Sequence, residues 1–177
     1  MKKMTDVIVI GGGASGIMAS IAAARAGAKV ILLERLSRIG KKILVTGNGR
    51  CNLSNIHIDS LYYHTSSGCD FSYPFKYMDY KRTEKFFEEL GVLPLIEGDK
   101  VYPFSEQASS VLEVLRMESE RLKIEVHTDT KVMGVFRKRH KWHVVCENQI
   151  TYEAPKVIVA TGGMANASFG CDQTGYT

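Results

Sequence analysis

Two short apolar runs without alternation open the chain, Asp6-Val-Ile-Val-Ile10 and Lys29-Val-Ile-Leu-Leu33. Such runs are expected of strands buried on both faces. Between them Ala14 to Ala26 is alanine-rich, with Ile17, Ile21 and Ala24 on one helical face, and Gly27 stands where a helix would end. The three together predict a βαβ unit with a right-handed crossover. Residues 37 to 57 are polar and punctuated by Gly40, Gly47 and Gly49, a length of loop that is usually functional inside a compact domain. Asp79 is placed to cap a helix carrying Thr83, Phe86, Phe87 and Leu90 at helical spacing, ended by Gly91. A second helix after Ser105 would turn Ala108, Val111, Leu112, Leu115 and Leu122 inward. Beyond residue 123 the period shortens. Ile124-Glu-Val126 reads as a third parallel strand, and 131–137, 142–147 and 149–153 read as an antiparallel meander. Lys156-Val-Ile-Val-Ala160 is a further buried strand that runs into Thr161-Gly162-Gly163. The predicted class is α/β: a Rossmann-like parallel sheet with a helical insertion at about 58–122 and a small β-meander at about 131–153, in one domain over 1–177.

Composition narrows the partners. A chain of 177 residues, 45% hydrophobic and 24% charged, can bury one real core and is not disordered. A formal charge of +4 suits a phosphate-bearing ligand but is too weak to argue for nucleic acid, so no nucleic-acid partner is expected. The basic cluster Arg137, Lys138, Arg139, His140, Lys141 falls between two strand-like segments and reads as a solvated hairpin turn. Cysteines at 51, 69, 146 and 171 make no C-x-x-C pair, which speaks against a redox dithiol or zinc ribbon and for reduced thiols in the cytoplasm. Lys2 and Lys3 before an apolar run mimic a signal peptide, but Asp6 and Gly11 to Gly13 interrupt it, and no membrane association is expected. His57, His64 and His127 lack metal-ligand spacing, so no metal is expected. The aromatic residues between Tyr62 and Tyr80 read as core and surface of the helical insertion.

Three motifs carry chemistry. In Gly11-x-Gly13-x-x-Gly16, Gly11 permits a tight turn out of the strand, Gly13 lets the main chain approach a pyrophosphate, and Gly16 allows close helix packing. The helix starting near Ala14 and Ser15 would aim free N–H groups and its positive end at the phosphates. Glu34 closes the second strand, eighteen residues after Gly16, where a carboxylate accepts from ribose hydroxyls and repels a 2′-phosphate. These two motifs do not separate FAD from NAD. The third, Ala160-Thr161-Gly162 at the end of its strand, supplies small residues that let the chain pass close beside a bound dinucleotide, a pattern of two-dinucleotide flavoproteins.

The run Gly40-Lys-Lys-Ile-Leu-Val-Thr-Gly-Asn-Gly-Arg-Cys-Asn-Leu-Ser-Asn55 resembles the signature loop of the BaiN-like flavoproteins, a family also described as aminoacetone-oxidase-type or NAD(P)/FAD-dependent oxidoreductases. Val101-Tyr-Pro-Phe-Ser105 and the Ala-Thr-Gly-Gly stretch resemble two further family segments, so the likeness runs from Asp6 to Tyr176. The resemblance implies extended FAD, with Gly11, Gly13, Ala14, Ser15 and Gly16 at the pyrophosphate and Glu34 and Arg35 at the adenosine. It places Lys42 and Gly47, Asn48, Gly49, Arg50, Cys51 and Asn52 along the pyrophosphate and toward the flavin, where Lys42 and Arg50 can offset phosphate charge. Val132 is a further candidate, meeting the adenine through its backbone. Cys51 reads as a packed loop residue rather than a redox thiol.

The same resemblance implies a longer protein with a substrate domain, so the chain is expected to be an amino-terminal portion. Gly170-Cys-Asp-Gln-Thr-Gly175 departs from the family pattern by carrying Gln173 where glycine is common. The implied activity is FAD-dependent oxidoreduction, with NAD(P)H as a possible electron donor of the full-length relative. No general acid or base can be named. A non-catalytic FAD-binding remnant and a plain NAD-dependent dehydrogenase remain as alternatives.

Overall fold

In a computed structural model, residues 2–65, 68, 70 and 72–163 are described. The closing Gly170–Gly175 stretch, Cys69 and Cys171 lie outside them. The elements in chain order are β1 (Lys2–Met4), β2 (Val7–Ile10), α1 (Ala14–Arg25), β3 (Val30–Leu33), a distorted 3-10 segment (Ile43–Gly49), β4 (Ser54–Asn55), a 3-10 turn (Ser60–Tyr62), α2 (Ser72–Tyr77), α3 (Tyr80–Glu89), β5 (Pro94–Glu97), β6 (Lys100–Pro103), α4 (Ala108–Arg121), β7 (Glu125–His127), β8 (Val132–Lys138), β9 (Lys141–Cys146), β10 (Thr151–Ala154) and β11 (Lys156–Val159). They form two compact units, residues 44–114 and the remainder.

The larger unit holds a parallel sheet of order β11-β2-β3-β7, as the apolar runs predict, with Val7 opposite both Lys156 and Val30. Every residue of β2 and β3 is buried. Alternation turns Ile8, Ile10, Ile31 and Leu33 to one face, where they share a core with Val144, Cys146, Tyr152 and Ala154 of the meander. α1 packs on β2 and β3 and buries Ile17 and Ile21 completely. Each such side chain stabilises by about 1.5–3 kcal/mol. The second sheet has order β1-β10-β9-β8 and is antiparallel except for β1 beside β10. β1 has no apolar signature. It is held by pairing with β10 and by the Lys2–Glu153 ion pair at 2.6 Å, so the first lysines belong to a strand.

Glu118 on α4 is buried and ion-paired to Arg25 of α1 at 2.8 Å and to Arg121 at 2.6 Å. These partners hold its carboxyl down at about 2, well below the ordinary carboxylate range.

The smaller unit contains α3, capped as expected by Asp79 accepting from Arg82 N–H at 2.8 Å. It also contains an antiparallel sheet of order β4-β6-β5 that the sequence reading does not anticipate. Its β5–β6 hairpin turns at Gly98, whose φ of 58° lies in the left-handed region. Ala108, Val111, Leu112 and Leu115 of α4 are buried, as their spacing predicts.

Candidate functional site

At the C-terminal ends of β2 and β3 the chain makes the turn that the glycine motif predicts. Gly11 leaves β2 with φ 104°, and a Cβ there would overlap the carbonyl oxygen of Ala160. The following residues Ala160 and Thr161 lie against it, and Ala160 N–H donates to Ile10 O at 2.8 Å. The Ala160-Thr161-Gly162 segment therefore passes beside the glycine turn as its small residues suggest. Gly16 is closed off in another way: a Cβ would collide with Gly11 O, so the first turn of α1 packs directly onto the loop backbone.

Gly13 differs from both. It is the N-cap of α1, with φ −78° and ψ −172°, an extended conformation open to any residue, and a Cβ there would meet nothing within 4 Å. Nothing internal to the fold calls for glycine at this position. No side chain caps the helix and no acid occupies its first turn, so the N-terminal end of α1 keeps its positive field, with Ala14 and Ser15 exposed.

Glu34 sits across this turn. Its Oε2 accepts from Gly12 N–H at 2.6 Å and its Oε1 from Leu36 N–H at 2.8 Å. Each oxygen retains a second lone pair for an external donor. The next loop folds back over the turn: Gly40 N–H donates to Gly12 O at 2.7 Å, and a Cβ on Gly12 would stand 2.6 Å from Ile39 Cγ2. Gly12, a spacer position in the motif, is thus a working residue that the sequence reading misses. The run of three glycines is the signal that could have found it. Arg35 and Lys42 lie half-buried on the same loop, and Val132 begins β8 and packs against the core of the meander.

Gly47 to Asn52 belong to the smaller unit, where they form a loop of their own. Gly47, Asn48, Gly49 and Cys51 all have left-handed φ, and a Cβ on Gly47 would come within 2.9 Å of Asn52 N. Arg50 does not stand open to offset phosphate charge. Its guanidinium is bidentate to Glu97 at 2.6 and 3.0 Å, meets Glu106 at 2.5 Å and lies 4.0 Å over the Tyr102 ring. Cys51 is buried, and burial pushes its thiol up, which leaves a packed neutral cysteine rather than a reactive thiolate. Among the described residues no group of three metal-ligating side chains comes together, and no helix is long and apolar enough to cross a membrane.

Comparison with known proteins agrees with the Rossmann fold. The profile of the family described as HI0933-like protein Rossmann domain matches residues 5–177. The 3-dehydro-bile acid delta(4,6)-reductase of Clostridium scindens is 43% identical over 175 residues, covering 98% of this chain and 42% of the relative. The ribosomal RNA dihydrouridine synthase of Escherichia coli is 26% identical over 180 residues, covering 97% of this chain and 42% of the relative. The chain thus spans less than half the length of these curated relatives. In fold it is similar to L-proline dehydrogenase from P. horikoshii (TM-score 0.54, 20% identity, 91% of this chain and 23% of that one). It is also similar to a cyclohexanone monooxygenase from Rhodococcus (TM-score 0.53, 18% identity, 90% of this chain and 26% of that one).

Proposed function

The chain belongs to the HI0933-like flavoprotein family through its Rossmann domain, and on that footing we propose that it binds the ADP half of FAD and forms the nucleotide-binding part of an FAD-dependent reductase. The observation that carries the reading is Gly13. It is a glycine with ordinary backbone angles and empty space in front of it, at the uncapped N-terminal end of a helix. A residue that the fold itself leaves free is understandable where a diphosphate must approach the main chain.

The donor set fits this group. Gly13, Ala14, Ser15 and Gly16 offer N–H groups and the positive helix end to the pyrophosphate, and Gly11 and Gly12 hold the turn in shape. Glu34 has its two oxygens fixed by Gly12 and Leu36, with lone pairs left for the ribose hydroxyls. Ala160 and Thr161 form the wall beside the turn, with Gly162 following, and Arg35 and Val132 are our candidates for the adenosine side. On its own unit Lys42 is assigned to the pyrophosphate; the Gly47–Asn52 loop is the candidate that the smaller unit offers. In that loop Arg50, neutralised by Glu97 and Glu106, shapes the backbone rather than carrying free charge.

Bound FAD supplies two-electron hydride chemistry, and the protein's part is to hold and orient it. The names of these two curated relatives, a delta(4,6)-reductase and a dihydrouridine synthase, both denote saturation of a carbon–carbon double bond. We carry that reaction class to the whole protein: reduction of a carbon–carbon double bond, with NAD(P)H as the electron donor. The direct test is purification followed by gel filtration with added FAD. A yellow, stoichiometric complex is expected. A colourless protein that instead retains NAD would favour a dehydrogenase and overturn the proposal.

A further inference from the structure

We infer that one edge of the Arg50 guanidinium binds an oxyanion, a carboxylate or a phosphate, and that Glu106 is a stand-in which this anion displaces. The inference goes beyond the flavin reading and does not rest on it, since every residue involved lies within residues 44–114. A guanidinium offers paired N–H groups along two edges, one between Nη1 and Nη2 and one between Nη2 and Nε. Glu97 fills the first, accepting from Nη1 at 3.0 Å and from Nη2 at 2.6 Å. The second is poorly served. Glu106 meets Nη2 at 2.5 Å, but Nε is buried and makes no hydrogen bond with any described residue. A buried donor left without a partner is costly and rare in native proteins. A planar oxyanion laid on this edge would accept from Nε and Nη2 together.

Glu106 has the marks of a stand-in rather than a brace. Glu97 already neutralises Arg50, so Glu106 adds a second negative charge to a balanced pair, with both carboxylates at Nη2. Its φ of 52° is left-handed, a backbone that a glutamate adopts against its own preference. Among the described residues of 44–114, the other non-glycine positions with such a backbone are Asn48 and Cys51, at 56° and 63°, and both lie within two residues of Arg50. Backbone strain of this kind clusters at ligand clamps. The buried Tyr102 ring, whose centroid is 4.0 Å from Arg50 Cζ, keeps the guanidinium in place when its partner changes. Glu106 has room to leave, because its side chain is 51% exposed and residues 104–107 are all exposed. Exchange with a monoanion conserves charge: one carboxylate turns into water as another anion takes its place.

The test follows the Arg50 Nε–H signal in proton–nitrogen NMR spectra of the full chain, assigned by its loss in Arg50→Lys. Sodium acetate and sodium phosphate are titrated against sodium chloride at equal ionic strength. Both oxyanions should shift the signal, and the stronger response says whether the edge takes a carboxylate or a phosphate. Chloride, which cannot span two donors, should leave it in place. Glu106→Gly removes the stand-in and suits the φ of 52°. With the edge covered about nine-tenths of the time in the wild type, uncovering it should tighten both oxyanions about tenfold. The same comparison read as the rise in melting temperature with added oxyanion needs no assignment, and it stands if Arg50→Lys does not fold. Without anions, Glu106→Gly should melt no lower than the wild type, whereas loss of a brace would lower it. Saturating FAD should leave acetate affinity unchanged. Equal oxyanion affinity in wild type and Glu106→Gly overturns the inference, as does an equal response to chloride or a lowered melting temperature of Glu106→Gly. So does loss of acetate binding in the presence of FAD, which would hand the edge to the cofactor.

Discussion

Gly13→Val separates the needs of the fold from the needs of the ligand. In the folded protein the new side chain meets no neighbour within 4 Å of its Cβ, and the φ of −78° suits valine. The folding cost is therefore the exchange of glycine for valine at a helix N-cap, about 1 kcal/mol or less. That lowers the melting temperature by about 2–4 °C at most for a chain of 177 residues. The cost to the ligand is larger. Two phosphate charges lose a helix end worth about 0.3–1 kcal/mol each when exposed and up to ~2 when partly buried, so about 1–4 kcal/mol goes with the contact. Converted to affinity this is roughly 5- to 1,000-fold, and the methyl groups in the diphosphate's path put the effect at the upper end. Melting curves with and without FAD give the readout. At a hundredfold excess over Kd the wild type should gain about 2.7 kcal/mol, and the variant nothing measurable. A variant stabilised by FAD as much as the wild type would refute the assignment of the diphosphate to this turn.

Glu34→Gln replaces an acceptor with an amide NH2 where Gly12 and Leu36 both donate, so one N–H loses its partner. The loss should cost about 1–3 kcal/mol of stability and weaken FAD binding by roughly 10-fold or more, measured by melting and by flavin fluorescence quenching. Glu118→Gln removes a buried carboxylate whose pKa of about 2 lies below the ordinary 4.5. That shift is about 3 kcal/mol, discounted to about 2 because Arg121 is 65% exposed. With a lowered folded pKa, the contribution is full above the ordinary carboxylate pKa and is lost as pH falls toward about 2. Urea unfolding should therefore show a gap between wild type and variant at neutral pH that closes in acid; a gap constant with pH would contradict the ion-pair reading.

The parallel sheet was legible because β2 and β3 are buried on both faces, which leaves an uninterrupted apolar run in the sequence. Helices α1 and α3 were legible through their spacing and through Gly27 and Asp79 at their ends. β1 was not, because Lys2–Met4 becomes a strand only through Thr151–Glu153, far along the chain. The β5–β6 hairpin was missed although Gly98-Asp99 separates two apolar pairs, since each strand is too short to show a period. At the candidate site, Gly11, Gly16 and Glu34 stand where the motif puts them. The role of Gly12 depends on Ile39 and Gly40 folding back, and that of Arg50 on Glu97 and Glu106. Both are long-range facts that spacing does not carry.

Ligand competition bears most directly on the recognition of FAD through its ADP portion. With FAD bound, ADP should displace it and FMN, which lacks the adenosine phosphate, should not. Displacement by FMN with no effect of ADP would contradict the whole assignment of Gly11–Gly16 and Glu34.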